Sequence, residues 1–251
     1  MNKYTGLISE VSDLSYQNQV DVDAYVAIAR KYQGRILELG SGSGHISVGL
    51  AKEGYEVTGI EIRRDMIQLH KDKLDDSTRT RTEIILGDMC GFELGEKFDL
   101  IIAPNNVIAY LDQVVDFMAM LQSVKDHLSD KGVFVIEAIK HDPHKLLRAN
   151  DIERTNIYQI PSTGKHVEER VKPHYNPDSH MISTSKVITE YEGQAIKRRV
   201  EYISEEKVWL EEALDRMIDQ VGLSVVLKSG DIKSIEPIDQ DSLFMVYYIS
   251  K

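Results

Sequence analysis

The stretch Ile36-Leu37-Glu38-Leu39-Gly40-Ser41-Gly42-Ser43-Gly44-His45 decides how the rest of this chain is read. Its first four residues are a short, mostly apolar run, the pattern of a buried strand. Glycine then falls at every second position, and an amphipathic helix follows at once. Glycine has no Cβ and takes positive φ, so a strand, a glycine turn and a helix in this order let a ligand lie directly against backbone. A dinucleotide-binding turn needs Gly-x-Gly-x-x-Gly. Here the position that would complete it is His45.

Strands and helices alternate outward from this turn. Residues 18–33 carry a helical stripe (Val22, Tyr25, Val26, Ile28, Ala29) that ends at Gly34. After the strand at 35–39 comes a helix over about 44–53, a strand over 55–62, a helix opening at Asp65 and a strand over 83–86. A strand over 98–103, a helix over 112–128 and a strand over 133–138 follow. This alternation predicts an α/β fold, a parallel sheet with helices on both faces. The texture changes after Ile139. Period-two segments at 167–172, 181–191 and 195–204, separated by Asn176-Pro177-Asp178 and Glu192-Gly193-Gln194, predict a small antiparallel sheet inserted after the fifth strand. A helix over 205–221 and closing strands at 224–227 and 243–249 complete a sheet of seven, mostly parallel strands. The expected domains are therefore 1–139 with 205–251, and an inserted 140–204 that covers the substrate.

Composition narrows the setting. The chain has 251 residues, 42% of them hydrophobic, enough for one α/β domain with an elaboration. No run reaches the roughly 18–20 apolar residues of a membrane helix. Met-Asn-Lys-Tyr-Thr-Gly does not open a secretory signal, and Cys90 is the sole cysteine, so a reducing, cytoplasmic location is expected. A formal charge of −11 argues against a nucleic-acid partner. The small basic groups at Arg79/Arg81 and Lys197–Arg199 read as solvated faces.

Three further signals follow the glycine turn in order. Glu61 ends the second strand, where a carboxylate's paired oxygens suit two ribose hydroxyls. Gly87-Asp88-Met89 directly follows the third strand. Phe98-Asp99-Leu100-Ile101-Ile102-Ala103-Pro104-Asn105-Asn106 forms the fourth strand and its exit loop, at the carboxyl edge where open α/β sheets bind ligands. A dehydrogenase also places an acid at Glu61, but it has no requirement for Asp88.

Over about residues 34–139 and 205–249 these motifs resemble the class I S-adenosylmethionine-dependent methyltransferases. The resemblance implies a Rossmann-like sheet, S-adenosylmethionine as cofactor (leaving as S-adenosylhomocysteine), and methyl transfer to a nitrogen or oxygen of a small molecule by in-line displacement. It implies cofactor contacts at Glu38, Gly40, Ser41, Gly42, Gly44, Glu61, Ile62, Asp88, Met89, Pro104 and Asn105, with Asp88 accepting from the adenine amino group. The loop lacks the Asn/Asp-Pro-Pro-Tyr/Phe of enzymes acting on adenine, cytosine or glutamine nitrogens. Asn105–Leu111 and the strand insertion are instead similar to amino-sugar N-methyltransferases, which makes Tyr110 a candidate beside the reacting methyl. The N-terminal segment (1–33) resembles a lid, bringing Tyr4 as a second catalytic candidate and Tyr16 as a cofactor contact.

Five of the eight histidines (His141, His144, His166, His174, His180) fall in the insertion, and His141, His144 and His174 are the candidates for a polar substrate wall. No metal is expected, because no carboxylate or cysteine joins them at a ligand spacing. Glu137 is a further acid near the pocket. Two other readings stand beside the enzyme: a nicotinamide-dependent oxidoreductase, and a non-catalytic methyltransferase-fold partner or cofactor sensor. A homodimer, paired through the edge of the inserted sheet, is also expected.

Overall fold

Residues 36–39 are buried to the last side chain because helices cover both faces of their sheet. The computed structural model describes residues 5–16, 21–160 and 165–251. They divide into two units. The larger runs from helix α2 (Asp21–Lys31) to His141 and resumes over Val208–Lys251. Its strands are β1 (Ile36–Leu39), β2 (Val57–Glu61), β3 (Thr82–Leu86), β4 (Phe98–Ala103) and β5 (Leu128–Ile139). Its helices are α3 (His45–Lys52), α4 (Arg64–Asp72), the short α5 (Asp76–Arg79) and α6 (Val114–His127).

Past the insertion this unit adds α8 (Glu211–Gln220), β10 (Ser224–Ser229) and β11 (Phe244–Ser250). The seven strands lie in the order β10-β11-β5-β4-β1-β2-β3. β1 to β5 are parallel, while β11 runs antiparallel to β5 and β10 antiparallel to β11. Alternate side chains of each strand feed two cores. Leu37, Leu39, Ile101 and Phe134 meet Phe117, Leu121 and Val124 of α6 and Leu214 and Met217 of α8. Ile36, Leu100, Ile102 and Val135 meet Tyr25 and Ile28 of α2 and Ile46 and Leu50 of α3. Each such buried side chain contributes about 1.5–3 kcal/mol.

The second unit joins helix α1 (Thr5–Tyr16) to Asp142–Lys207. It holds α7 (Pro143–Arg148) and an antiparallel sheet in the order β6-β7-β8-β9. The strands are β6 (Arg154–Ile160), β7 (Lys165–Asn176), β8 (Met181–Glu192) and β9 (Ala195–Lys207). Leu7 and Val11 of α1 bury themselves on Val167, Ile188 and Val200. The segment read from sequence as one lid thus divides, α1 lying with this sheet and α2 with α3 of the larger unit.

Local boundaries differ from the periodicity in several places, among them β5, which begins at Leu128 and not at 133. The expected helix over 205–221 begins only at Glu211, because Glu205–Lys207 continue β9 in register with β8. β6 escapes a pattern search because it is an edge strand with a mostly exposed, polar sequence. The helices α5 and α7 are too short to show a period; their N-caps, Asp75 and Asp142, hold them.

Candidate active site

The glycine turn leaves β1 with Gly40, Gly42 and Gly44 all in the left-handed region, φ +65°, +53° and +81°. A Cβ on Gly40 would stand 2.3 Å from Val107 Cγ2, and one on Gly44 would stand 2.6 Å from the His70 ring. The first and third glycines are therefore demanded by the protein's own packing. At Gly42 the nearest atom would be 4.0 Å away, so the middle of the turn faces open space. Ser41 N–H donates to Ile60 C=O at 3.0 Å, and Gly44 N–H donates to Ser41 C=O at 2.9 Å. These two bonds fix the turn against β2.

Two acids flank it and behave oppositely. Glu61 is buried, yet its Oε2 accepts from Gly42 N–H at 2.9 Å and its Oε1 from Arg63 N–H at 2.8 Å. Two backbone donors suit an ionised carboxylate and leave half of its lone-pair positions for a ligand. Glu38 is 2% exposed, and its Oε2 has no hydrogen-bond partner. Burial pushes its carboxyl up to about 8; Ser47's hydroxyl and amide oppose the shift, and the nearby Glu61 adds to it. Glu38 thus carries a proton at neutral pH.

Asp88 follows β3, one strand beyond Glu61, and Gly87 N–H donates to Glu61 C=O at 3.1 Å. Asp88 is exposed; its Oδ1 accepts from Cys90 N–H at 2.9 Å and its carbonyl from Gly91 N–H at 3.2 Å. Burial, then the bond to Asp88 and its charge, push the Cys90 thiol up to about 12, so it stays protonated. Ile62 is 65% exposed at the end of β2, while Met89 packs against the sheet core.

On the other side of β1, the exit from β4 holds two consecutive non-glycine residues at positive φ, Asn105 at 54° and Asn106 at 58°. Asparagine tolerates this region better than most residues. Asn106 is buried, and its Oδ1 accepts from Ile139 N–H at 3.0 Å, tying the loop to the end of β5. Pro104 is buried beside it. A 3-10 turn, Val107–Tyr110, buries Ile108 and Ala109 and leaves Tyr110 59% exposed. The turn, Glu61, Asp88 and Asn105 therefore lie at the carboxyl ends of four neighbouring strands, β1, β2, β3 and β4, across the point where strand order reverses.

Tyr4 and the side chain of Tyr16 lie outside the described residues. Glu137 is buried and accepts from Tyr25 O–H at 3.2 Å, fastening α2 to β5. His141 ends the larger unit, while His144 and His174 belong to the other. His144 heads α7 with its N–H on Asp142 Oδ1, and His174 Nδ1 lies 3.3 Å from Asp151 Oδ2 on the surface. His180 meets the Tyr175 hydroxyl, and His166 stacks on Tyr191. Among the described residues no three His, Cys, Asp or Glu side chains form a metal-binding group.

One residue had no sequence signal. His70 is fully buried behind Gly44, with neither ring nitrogen partnered, and burial, with Lys73 and Lys71, depresses it to about 4. Lys73, one turn on, donates to Ser43 Oγ at 3.1 Å, so α4 backs the turn at two points.

A family model described as a methyltransferase domain matches residues 31–208, the stretch that holds all four strand ends. The chain belongs to the methyltransferase-domain family. Membership decides against the nicotinamide-dependent oxidoreductase. A curated relative is the dTDP-3-amino-3,4,6-trideoxy-α-D-glucopyranose N,N-dimethyltransferase of Streptomyces venezuelae. It is 29% identical over 102 residues, covering 41% of each chain. The chain spans about two fifths of the length of the first curated relatives it matches, 42% and 41%.

Solved structures match over nearly the whole length. An S-adenosylmethionine-dependent methyltransferase from Clostridium acetobutylicum superposes with a TM-score of 0.79 at 16% identity, covering 99% of both chains. DesVI from Streptomyces venezuelae does so with a TM-score of 0.77 at 19% identity, covering 97% of this chain and 98% of its own. At that identity the likeness is one of fold, and it includes the methyltransferase sheet with its added strands.

Proposed function

We propose that this protein is an S-adenosylmethionine-dependent methyltransferase acting on a nitrogen or oxygen of a small molecule. The observation that carries this reading is the Glu61 carboxylate. It is locked by Gly42 and Arg63 amides beside a turn whose middle glycine faces open space. The donor set fits the cofactor. Gly40–Gly44 offer bare backbone to the methionine part, Glu61 keeps acceptor positions for ribose hydroxyls, and Asp88 offers an exposed carboxylate to the adenine amino group, with Ile62 and Met89 alongside the base. Glu38 and Ser41 support the turn from within.

The sulfonium methyl is already activated when the cofactor is bound, so alignment and exclusion of water are what this chain must supply. Tyr110, on the loop that Asn106 anchors, is the group proposed to orient an acceptor, with Pro104 and Asn105 on the cofactor side. An amine acceptor must be neutral when it attacks, and Tyr110 serves as a hydrogen-bond partner to it. Tyr4 and Tyr16 as lid aromatics, and His141, His144 and His174 as substrate-side residues, rest on the sequence resemblance alone.

A small acceptor suits the charge of −11. The basic run of the insertion is engaged with acids: Lys197 with Glu192, Arg198 with Glu10 and Glu190, Arg199 with Glu201. The amino sugar in the name of the Streptomyces venezuelae N,N-dimethyltransferase supports an amine on a sugar as the first acceptor to test. No helix among the described residues is long and apolar enough to cross a membrane. A cytoplasmic homodimer is the expected working form.

Incubation of cell extract with methyl-labelled S-adenosylmethionine, followed by mass identification of the product, tests the proposal. A labelled metabolite supports it. Cofactor binding without any transfer would point to a sensor or partner subunit.

A further inference from the structure

We infer that His127 is a positioning residue that holds the Asp88 loop in its ligand-ready form, and that it does so only while its ring is neutral. This rests on the reading that Asp88 contacts the cofactor. His127 ends α6 with its side chain 2% exposed. Nδ1 lies 2.7 Å from the Ser123 carbonyl one turn back, and a carbonyl only accepts, so Nδ1 bears the hydrogen. Nε2 lies 2.9 Å from the Leu94 backbone nitrogen, whose N–H only donates, so Nε2 is bare. The two contacts together impose one tautomer and zero charge.

The loop held in this way begins at Asp88. Residues 92–97 have no ladder to fix them, and the isolated Asp88–Gly91 bridge is their nearest regular pairing. Phe92 lies on the His127 ring with centroids 4.6 Å apart, so one side chain grips both Phe92 and Leu94. Met89, Cys90, Phe92 and Leu94 then pack on the core that contains Val124 and Leu128.

A proton on Nε2 would set two N–H groups head-on and deprive Leu94 of its acceptor. The carboxylate facing that nitrogen is Glu93, whose Oε1 is 3.7 Å away and also accepts from Gly95 N–H. On the same turn, the Lys97 ammonium bonds the Asp126 carbonyl. A protonated ring therefore exchanges Leu94 for Glu93, and the loop loosens. The Leu94 bond requires an unprotonated Nε2.

Two readouts test this on wild type, His127→Gln and His127→Phe between about pH 8 and about pH 5.5. One is the hydrogen-exchange protection factor of the Leu94 amide, read by NMR. The other is calorimetric titration with S-adenosylmethionine. In wild type, acidification should lower Leu94 protection and weaken binding about five-fold. His127→Gln keeps an acceptor without a titrating proton and should bind near the wild-type alkaline level at every pH. His127→Phe keeps the ring packing without an acceptor and should sit at the weakened level throughout.

The inference is overturned if His127→Phe matches wild type at alkaline pH, or if His127→Gln retains the wild-type pH dependence. A wild type that protects Leu94 as expected but binds no S-adenosylmethionine at any pH would overturn the cofactor reading, and with it the role given to this loop. The His127 contact would remain as a structural one.

Discussion

Glu61 in the parallel-sheet unit and the buried acids of the antiparallel unit are held differently. In the parallel-sheet unit, Glu61 ends a strand and is met by the backbone amides of Gly42 and Arg63. In the antiparallel unit, Glu190 is met by Arg198, and Glu169 by Asn156 and Tyr158, all side chains of neighbouring strands. Arg198 reaches on to Glu10 of α1, at 2.6 Å, so these acids fasten strands to each other and to a helix. Backbone donors place a carboxylate by the path of the chain and leave it room for a ligand. Side-chain donors commit it to the fold.

Glycines sharpen the contrast most. Gly44→Ala meets both an unfavourable φ and the His70 ring, and should cost about 4 kcal/mol in denaturant unfolding. Gly193 sits in the β8–β9 turn at φ +62° with nothing within 4 Å of a built Cβ, so Gly193→Ala should cost only about 1 kcal/mol. Equal losses would mean that the glycine turn is not tightly backed.

Glu38 supplies the next largest effect. Its folded-state value of about 8 lies above its ordinary 4.5, so the native chain holds a proton that the unfolded chain releases between those limits. Stability therefore falls as pH rises through that window. Glu38→Gln cannot ionise, and its stability relative to wild type should grow by roughly 3 kcal/mol from about pH 5 to about pH 8. Parallel stability curves would show that Glu38 is ionised in the fold.

In the other unit, Arg198→Met strands the buried Glu190. Arg198 is itself 38% exposed, which tempers the loss to about 2 kcal/mol. Amide exchange in α1 should rise with it. An unchanged α1 would show that Leu7 and Val11 hold the helix without the ion pairs.

These differences also explain what the sequence revealed. Gly40–Gly44, Glu61 and Asp88 follow strand ends at fixed positions, so they could be read locally. The strands β1 and β4 were clear because burial on both faces makes them largely apolar. β6 was not, since an edge strand may be polar wherever it faces water. The roles of His70 and His127 depend on which loops the fold brings to them. Asn105 and Asn106 hid positive φ behind non-glycine residues. The local partners of three insertion histidines carried no sequence signal: His174 meets Asp151, His180 meets Tyr175, and His166 stacks on Tyr191.

The central claim is that Glu61 and Asp88, at the ends of adjacent strands, together grip an adenosyl group. Calorimetric titration of S-adenosylmethionine into wild type and into the Glu61→Ala/Asp88→Ala double variant tests it most directly. The account predicts saturable binding by wild type and a loss of about a hundredfold or more in a folded double variant. Affinity within about threefold of wild type would contradict it.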